Sequence, residues 1–397
     1  MKIGIKRLMH YTVFLKRNEE KRLLAGHSWV FANEVSGIDG KAKNGSLATV
    51  RSFDGRFIGR GYINHASKIL VRIFIRDDKT TDEGDFYYNR ILECWEQRKA
   101  LGYENCCRVV FGEADNLPAL IVDKYGDILV VQCLSLGIHQ RKKTIVDSLV
   151  RIFNPKGIFE RSDVSVRQKE GLPLEKGVLY GEVPDEVIIE ENGLKMSVDV
   201  KNGQKTGYFL DQKENRFALR RYAKDGVVLD CFCNSGGFSL NAALTAKAVT
   251  SIDVSELALS NVKRNAELNG LTNITTVQAD VFNFLREEKA KGAKYDLIVL
   301  DPPAFCKTAN DVKDAYRGYK DINLTAMKLV KNGGFLATCS CSHYMTFPLF
   351  EKMLAESAKE CGKRVRVLEM KTQAPDHPTL LNEEETQYLK FFVLQVF

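Results

Sequence analysis

The stretch Thr338-Cys339-Ser340-Cys341-Ser342 sets two thiols one residue apart, at the end of a short apolar run that leaves a Gly-Gly turn. That run, Phe335-Leu336-Ala337-Thr338, reads as an interior strand. Ligands of open α/β sheets bind at the carboxyl ends of the strands, and a thiolate placed there is a nucleophile. A second reactive grouping lies in YDLIVLDPPAFCK, which is apolar from Leu297 to Leu300 and breaks at Asp301-Pro302-Pro303. Prolines cannot continue a central strand, so the chain leaves the sheet rigidly. Asp301 is thereby fixed at the strand end, and Ala304-Phe305 can contact a flat ring.

Three earlier strand ends carry acids. VVLDCFCNSGGFSLNAAL places Asp230 at a strand end and Gly236-Gly237 at the turn into a helix, where glycine lets the backbone approach a ligand. Asp253 ends AVTSIDV and can accept both hydroxyls of an adenosine ribose. Asp280 ends the next run, in VQADVF, within reach of an adenine amino group. A nicotinamide site would show GxGxxG, which DCFCNSGG does not match. S-adenosylmethionine needs no pyrophosphate cradle and tolerates this looser loop. Any one of these acids can be a solvated strand end; the ordered set is what points to a cofactor.

Together these groups suit methyl transfer to a pyrimidine ring carbon. Carbon 5 is barely nucleophilic, and a thiolate added to carbon 6 makes it enamine-like. One cysteine must then reach the base beside the cofactor, with Asp301 hydrogen-bonding the base's nitrogen edge. Cys339 and Cys341 are the candidates. Cys306 lies past the rigid turn, and Cys231 and Cys233, which flank the cofactor loop, read as packing residues. His343 and Tyr344 either line the pocket or cap the loop.

The elements that must position these residues follow from pattern. From about residue 191, VVLDCF, AVTSIDV, ITTVQAD, YDLIVLD and GFLATCS alternate with helical segments, the signature of a parallel doubly wound sheet. VRVLEMKT and YLKFFVLQVF read as a terminal hairpin at its edge. Residues 1–76 are short alternating runs with Gly-rich turns, a small β-rich module. Residues 77–190 read as a central α+β domain: a helix (FYYNRILECWEQRKAL), the strand pair in RVVFGEADNLPALIVDKYGDILVVQCL, a second helix from Gln140 to Phe153 and a strand from Gly157 to Glu160.

Length and composition agree with a multidomain globular chain: 397 residues, 44% hydrophobic and 27% charged. The opening MKIGIKRLMHYTVFLKRNEEKR is too often broken by charge for a signal-peptide core, and no apolar run is long enough to span a membrane. A cytoplasmic protein is expected, with its ten scattered cysteines reduced. No CxxC or HExxH spacing appears, so no metal is expected. The formal charge of +7 mildly favours an anionic partner such as RNA. Arg51, Arg56, Arg60, Arg72 and Arg76, interleaved with Phe53, Phe57 and Tyr62, read either as an RNA-facing surface or as a solvated strand face.

Read end to end, the chain resembles the bacterial ribosomal RNA large-subunit methyltransferase I family. The likeness rests on GHSWVFANEV and DGRFIGRGYIN, VFGEADNLPALIVDKYGD, GQKTGYFLDQKENR, LDCFCNSGGFSLNAA, LDPPAFCK, TCSCS and DHPTLLNEEETQYLK, in that order. It implies a class I (Rossmann-like) methyltransferase domain with a seven-stranded, mostly parallel sheet over 191–397. A PUA-type RNA-binding domain at 1–76 and the central domain at 77–190 would precede it. The implied activity is S-adenosylmethionine-dependent formation of 5-methylcytosine in 23S rRNA. By the same resemblance Phe209 and Asp211 lie near the cofactor with Asp230, Gly236, Gly237, Asp253, Asp280 and Asp301, and Pro302, Pro303 and Phe305 contact substrate. Thr338-Cys339-Ser340 matches the motif that carries the nucleophile in RNA cytosine-5 methyltransferases, favouring Cys339 over Cys341.

The chain departs from the wider cytosine-5 group in having Pro302-Pro303 where Pro-Cys is common. A second cysteine for resolving the adduct is missing there, and elimination must use another base. Cys233-Asn234-Ser235 precedes the Gly pair where Thr is common. A homodimer is compatible with this reading. Two rivals stay open: methylation of an exocyclic amine, with the cysteines structural, and a non-catalytic RNA-binding assembly factor.

Overall fold

Apolar runs alternate with helices through the second half of the chain, and the central runs become parallel strands buried on both faces. The computed structural model describes residues 11–40, 43–306 and 308–397; the start of the N-terminal stretch read above, residues 1–10, lies outside them. The chain divides into two units, one of residues through Val187, Val198–Tyr208 and Pro375–Thr386, the other of Ile188–Ser197, Phe209–Ala374 and Gln387–Phe397.

The second unit contains β1 (Val227–Cys231), β2 (Ala248–Asp253), β3 (Ile274–Gln278), β4 (Tyr295–Leu300), β5 (Val330–Ser340), β6 (Val365–Lys371) and β7 (Lys390–Val396). They form one sheet in the order β3-β2-β1-β4-β5-β7-β6. The first five run parallel, and β7 is antiparallel to both its neighbours. The terminal pair thus stands at the sheet edge as expected, with its last strand inserted inside its first.

Helices α1 (Lys213–Ala223) and α2 (Gly237–Ala243) cover one face, packing on Val228, Leu297, Val299, Ala337 and Cys339. Helices α4 (Val281–Ala290), α5 (Val312–Leu329) and α6 (Phe347–Glu360) cover the other, over Leu229, Ile298, Leu300 and Leu336. Helix α3 (Glu256–Leu268) packs beside α2 on Cys233. Two-sided burial explains why Leu297-Ile298-Val299-Leu300 is continuously apolar rather than alternating. Each of those four side chains is fully buried and contributes about 1.5–3 kcal/mol.

The first unit holds a six-stranded sheet, whose strands run from Tyr11–Leu15 to Ile69–Ile75, and a five-stranded sheet. The stretch read as a strand pair is three strands, Cys106–Phe111, Leu120–Tyr125 and Ile128–Cys133. Gly126, at φ +58°, turns the last two into a hairpin that an unbroken apolar run hides.

Four of the five arginines read as an RNA-facing or solvated strand face have partners within the protein, and Arg72, which is buried, fits neither reading. Arg72 is buried on Glu170 at 2.8 Å. Arg76 donates to the carbonyls of Leu23, Gly26 and His27, Arg60 to those of Asp78 and Thr80, and Arg51 to that of Gly55. Tyr62 is buried, its hydroxyl on Asp82 at 2.7 Å. Arg56 and Phe53 remain exposed, with the Arg17 guanidinium 5.6 Å from the Phe53 ring centroid. Among the described residues, no helix is long and apolar enough to cross a membrane.

Candidate active site

The loop after β1 is held in an unusual backbone path. Phe232 (φ +63°), Asn234 (+48°) and Gly236 (+84°) all adopt left-handed conformations, which a bulky residue such as Phe rarely does. Gly236 admits no side chain: a Cβ there would lie 2.8 Å from Leu240 Cδ1. Asp253, at the end of β2, fixes the loop by accepting the Asn234 N–H at 3.0 Å on Oδ2 and the Ser255 N–H at 3.0 Å on Oδ1.

Asp230 is buried at the end of β1, where its Oδ2 accepts the Ser239 hydroxyl at 2.6 Å. Its Oδ1 has no hydrogen-bond partner among the described residues. Burial pushes its carboxyl up to about 7, with the Asp301 and Asp253 charges acting in the same direction. Asp280 is exposed and caps α4, accepting the Asn283 N–H at 3.0 Å. Asp211 is buried and accepts the Tyr388 hydroxyl at 2.6 Å, while the Phe209 carbonyl accepts from Arg216 at 2.8 Å. A buried carboxylate oxygen at the end of β1, beside a left-handed loop that Asp253 fixes, fits an adenosyl cofactor.

Gln212 joins the two reactive groupings. Its Nε2 donates to Asp301 Oδ1 at 3.1 Å, and both side chains act on the Cys339 thiol, Asp301 through its charge. Cys339 is fully buried, packed among Phe238, Phe391 and Val393, and its thiol is pushed well above its ordinary value, first by burial and next by the Asp301 charge. Cys341 lies one residue past the end of β5 and is half-buried. Pro302 is buried, Pro303 exposed, and the Phe305 ring packs 4.6 Å from that of Tyr319. The Tyr319 hydroxyl accepts from Ser340 at 3.1 Å and lies 3.0 Å from the Ser342 hydroxyl. His343 and Tyr344 are exposed, and Cys306 is buried with its N–H on Ser342 Oγ at 3.2 Å.

On β7, Lys390 is the register partner of Ser340. Its buried ammonium donates to the carbonyls of Ser342 (2.6 Å) and Tyr388 (2.7 Å). Burial lowers it to about 8, against an upward pull from Cys341. Neither Gln212 nor Lys390 emerged as a candidate from the sequence. A lysine between Leu389 and the apolar run that starts at Phe391 was the available signal.

Comparison with known proteins agrees with this geometry. Residues 13–76 match a PUA-like domain, and residues 173–390 match the S-adenosylmethionine-dependent methyltransferases. A protein of Pseudoalteromonas atlantica named ribosomal RNA large subunit methyltransferase I is 42% identical over 98% of this chain and 100% of its own length. The chain belongs to that methyltransferase family. A second member, from Aeromonas salmonicida, is 40% identical over the same shares of both chains. The crystal structure of SMU.776, a methyltransferase complexed with SAH, shares the fold, with a TM-score of 0.83 at 21% identity, covering 98% of this chain and 100% of that one. Membership in the family makes S-adenosylmethionine the cofactor and identifies the six-stranded module as PUA-like.

Proposed function

We propose that the chain methylates carbon 5 of a cytosine in large-subunit ribosomal RNA, with Cys341 as the nucleophile. The observation that carries this reading is the contrast between two thiols of one strand end. Cys339 is sealed in the layer under α1 and α2, whereas Cys341 sits just past β5 and is partly open to solvent. Sulfur must touch carbon 6 of the base, so the preference for Cys339 drawn from the Thr-Cys-Ser motif gives way to Cys341. The names of the relatives support ribosomal RNA as substrate.

In this scheme the Cys341 sulfur bonds to carbon 6, and the electron pair of the 5,6 double bond moves to carbon 5. S-Adenosylmethionine, when bound, supplies an electrophilic methyl group on a sulfonium. Asp230, Asp253 and the loop at Gly236 bind the adenosyl group, with Phe209, Asp211 and Asp280 at its margins. Asp301, held by Gln212, accepts from the amino edge of the cytosine, and Pro302, Pro303 and Phe305 wall the base. The carbon-5 proton then passes to a base, the double bond reforms, and the sulfur leaves with the electron pair of its bond to carbon 6. A stacked, paired cytosine cannot enter, so the target is single-stranded or flipped. The module of residues 1–76 recruits RNA, with Arg56 and Phe53 available for contact.

RNA containing 5-fluorocytosine tests this, because fluorine at carbon 5 cannot leave as a proton does. The expected result is a denaturation-resistant adduct that needs S-adenosylmethionine and maps by peptide mass spectrometry to Cys341. An adduct on Cys339 would return the role to that residue. Methyl transfer to ordinary RNA with no adduct would move the reaction to an exocyclic amine.

A further inference from the structure

Lys390 is a costly residue to place where it is. A buried ammonium is normally balanced by a carboxylate, yet among the described residues it has no ion pair, only the carbonyls of Ser342 and Tyr388. Those carbonyls need a donor, but a neutral amide would serve them without bringing a charge out of water. Among the described residues, the titratable groups that feel the charge of Cys341 include Tyr319 on α5, Cys339 on β5 and Lys390 on β7. Burial raises the Tyr319 hydroxyl to about 12 and the Cys339 thiol well above its ordinary value, so both stay neutral near pH 7. Asp301, the carboxylate at this strand end, accepts from Gln212 at 3.1 Å. Lys390, held on the carbonyl of the residue after Cys341, is a charged group that acts on that thiol.

We propose that the Lys390 ammonium holds Cys341 as a thiolate before attack and receives that thiolate again when the adduct breaks. The inference rests on the reading of Cys341 as nucleophile and adds a positioning residue to it. Ionisation sends the thiol proton to solvent. The sulfur's electron pair makes the bond to carbon 6 and returns to sulfur on elimination, and Lys390 stays protonated throughout. A neighbouring lysine is a general means of stabilising a thiolate. Here the antiparallel register of β5 and β7 fixes the neighbour, because Lys390 lies opposite Ser340 and reaches past it to the Ser342 carbonyl.

The test is the pH dependence of Cys341 alkylation by iodoacetamide, read at the Cys341 peptide by mass spectrometry. In the unsubstituted protein the midpoint is expected below the ordinary thiol value of about 8.5. Lys390→Met should raise it by about one unit and slow alkylation at pH 7 about tenfold, and Lys390→Arg should restore most of both. An unsubstituted midpoint at or above the ordinary value overturns the proposal, and this needs no variant to fold. So does an unmoved midpoint in a Lys390→Met protein that still melts cooperatively and binds S-adenosylmethionine. A low, Lys390-dependent midpoint without a 5-fluorocytosine adduct leaves Lys390 as the group that ionises Cys341 but overturns its part in attack and elimination, together with the nucleophile reading; an adduct at Cys341 with an ordinary midpoint keeps the nucleophile reading and overturns this proposal.

Discussion

Buried charge is handled in opposite ways in two regions of this molecule. Around the five-stranded sheet, buried guanidiniums end on carboxylates: Arg98 on Asp115, and Arg108 on both oxygens of Asp123 at 2.8 Å. Asp123 also accepts the Thr206 hydroxyl, which lies 2.8 Å from that of Tyr125. At the carboxyl edge of the seven-stranded sheet the complement is left out. Among the described residues, Lys390 is buried without a carboxylate, and Asp230 Oδ1 is buried without a donor. Closed networks specify an architecture. Buried groups short of a partner are common at binding sites, and the proposed function puts substrate and cofactor at these two.

The sharpest way to break this contrast is at the thiols. Cys341→Ala should lower methyl transfer by at least about a thousandfold with an unchanged melting curve. Cys339→Ala should leave turnover and cost about 1–2 kcal/mol of stability as a small core cavity. The reverse pattern, measured by tritium transfer to RNA and by urea unfolding, would place the chemistry in the buried layer.

The closed side of the comparison is probed by Arg108→Ala. Removing one partner of a buried pair should cost about 3–5 kcal/mol, read as a lower urea midpoint. A loss under about 1 kcal/mol would show that Asp123 is not relying on it.

Asp230 gives a pH signature. Its folded-state value near 7 lies above the ordinary 3.8, so the protonated form is favoured by folding. Below 3.8 both states carry the proton and that contribution is complete; it is lost as pH rises toward about 7, as the unfolded chain ionises first. Urea midpoints of the unsubstituted protein should therefore fall across that window more steeply than those of Asp230→Asn. Equal slopes would mean that a donor meets Oδ1. The smallest effect is at the surface: Arg56→Ala should weaken RNA binding a few-fold and reduce the salt slope by about one, whereas Arg76→Ala should destabilise the module and leave the slope alone.

Much of the second unit was legible because its signals are local. Continuous apolar runs gave the parallel strands, and Asp-Pro-Pro gave the rigid exit from β4. Exposure at the two cysteines was not legible. It depends on β5 stopping at Ser340 and on β7 pairing over it from fifty positions away, which no window on TCSCS contains. The burial of Arg72 was hidden for a related reason: a guanidinium paired inside the fold and one in solvent have the same sequence pattern. The acids sort similarly, since Asp280 ends its run as expected but serves as a helix cap.

The segment Pro375–Thr386 has a consequence for how this protein can be dissected. It lies between β6 and β7 in sequence but belongs to the first unit, where Asp376 accepts the Arg108 N–H at 3.0 Å across 268 positions and Glu383 accepts the Ser28 hydroxyl at 3.1 Å. Contacts of such sequence separation close late and slow folding. An RNA-binding fragment cut near residue 190 would lack this loop and leave the Arg108 amide without its acceptor. The boundary that looks natural on paper is a poor place for the scissors, and a fragment that keeps the loop must keep the chain that returns it.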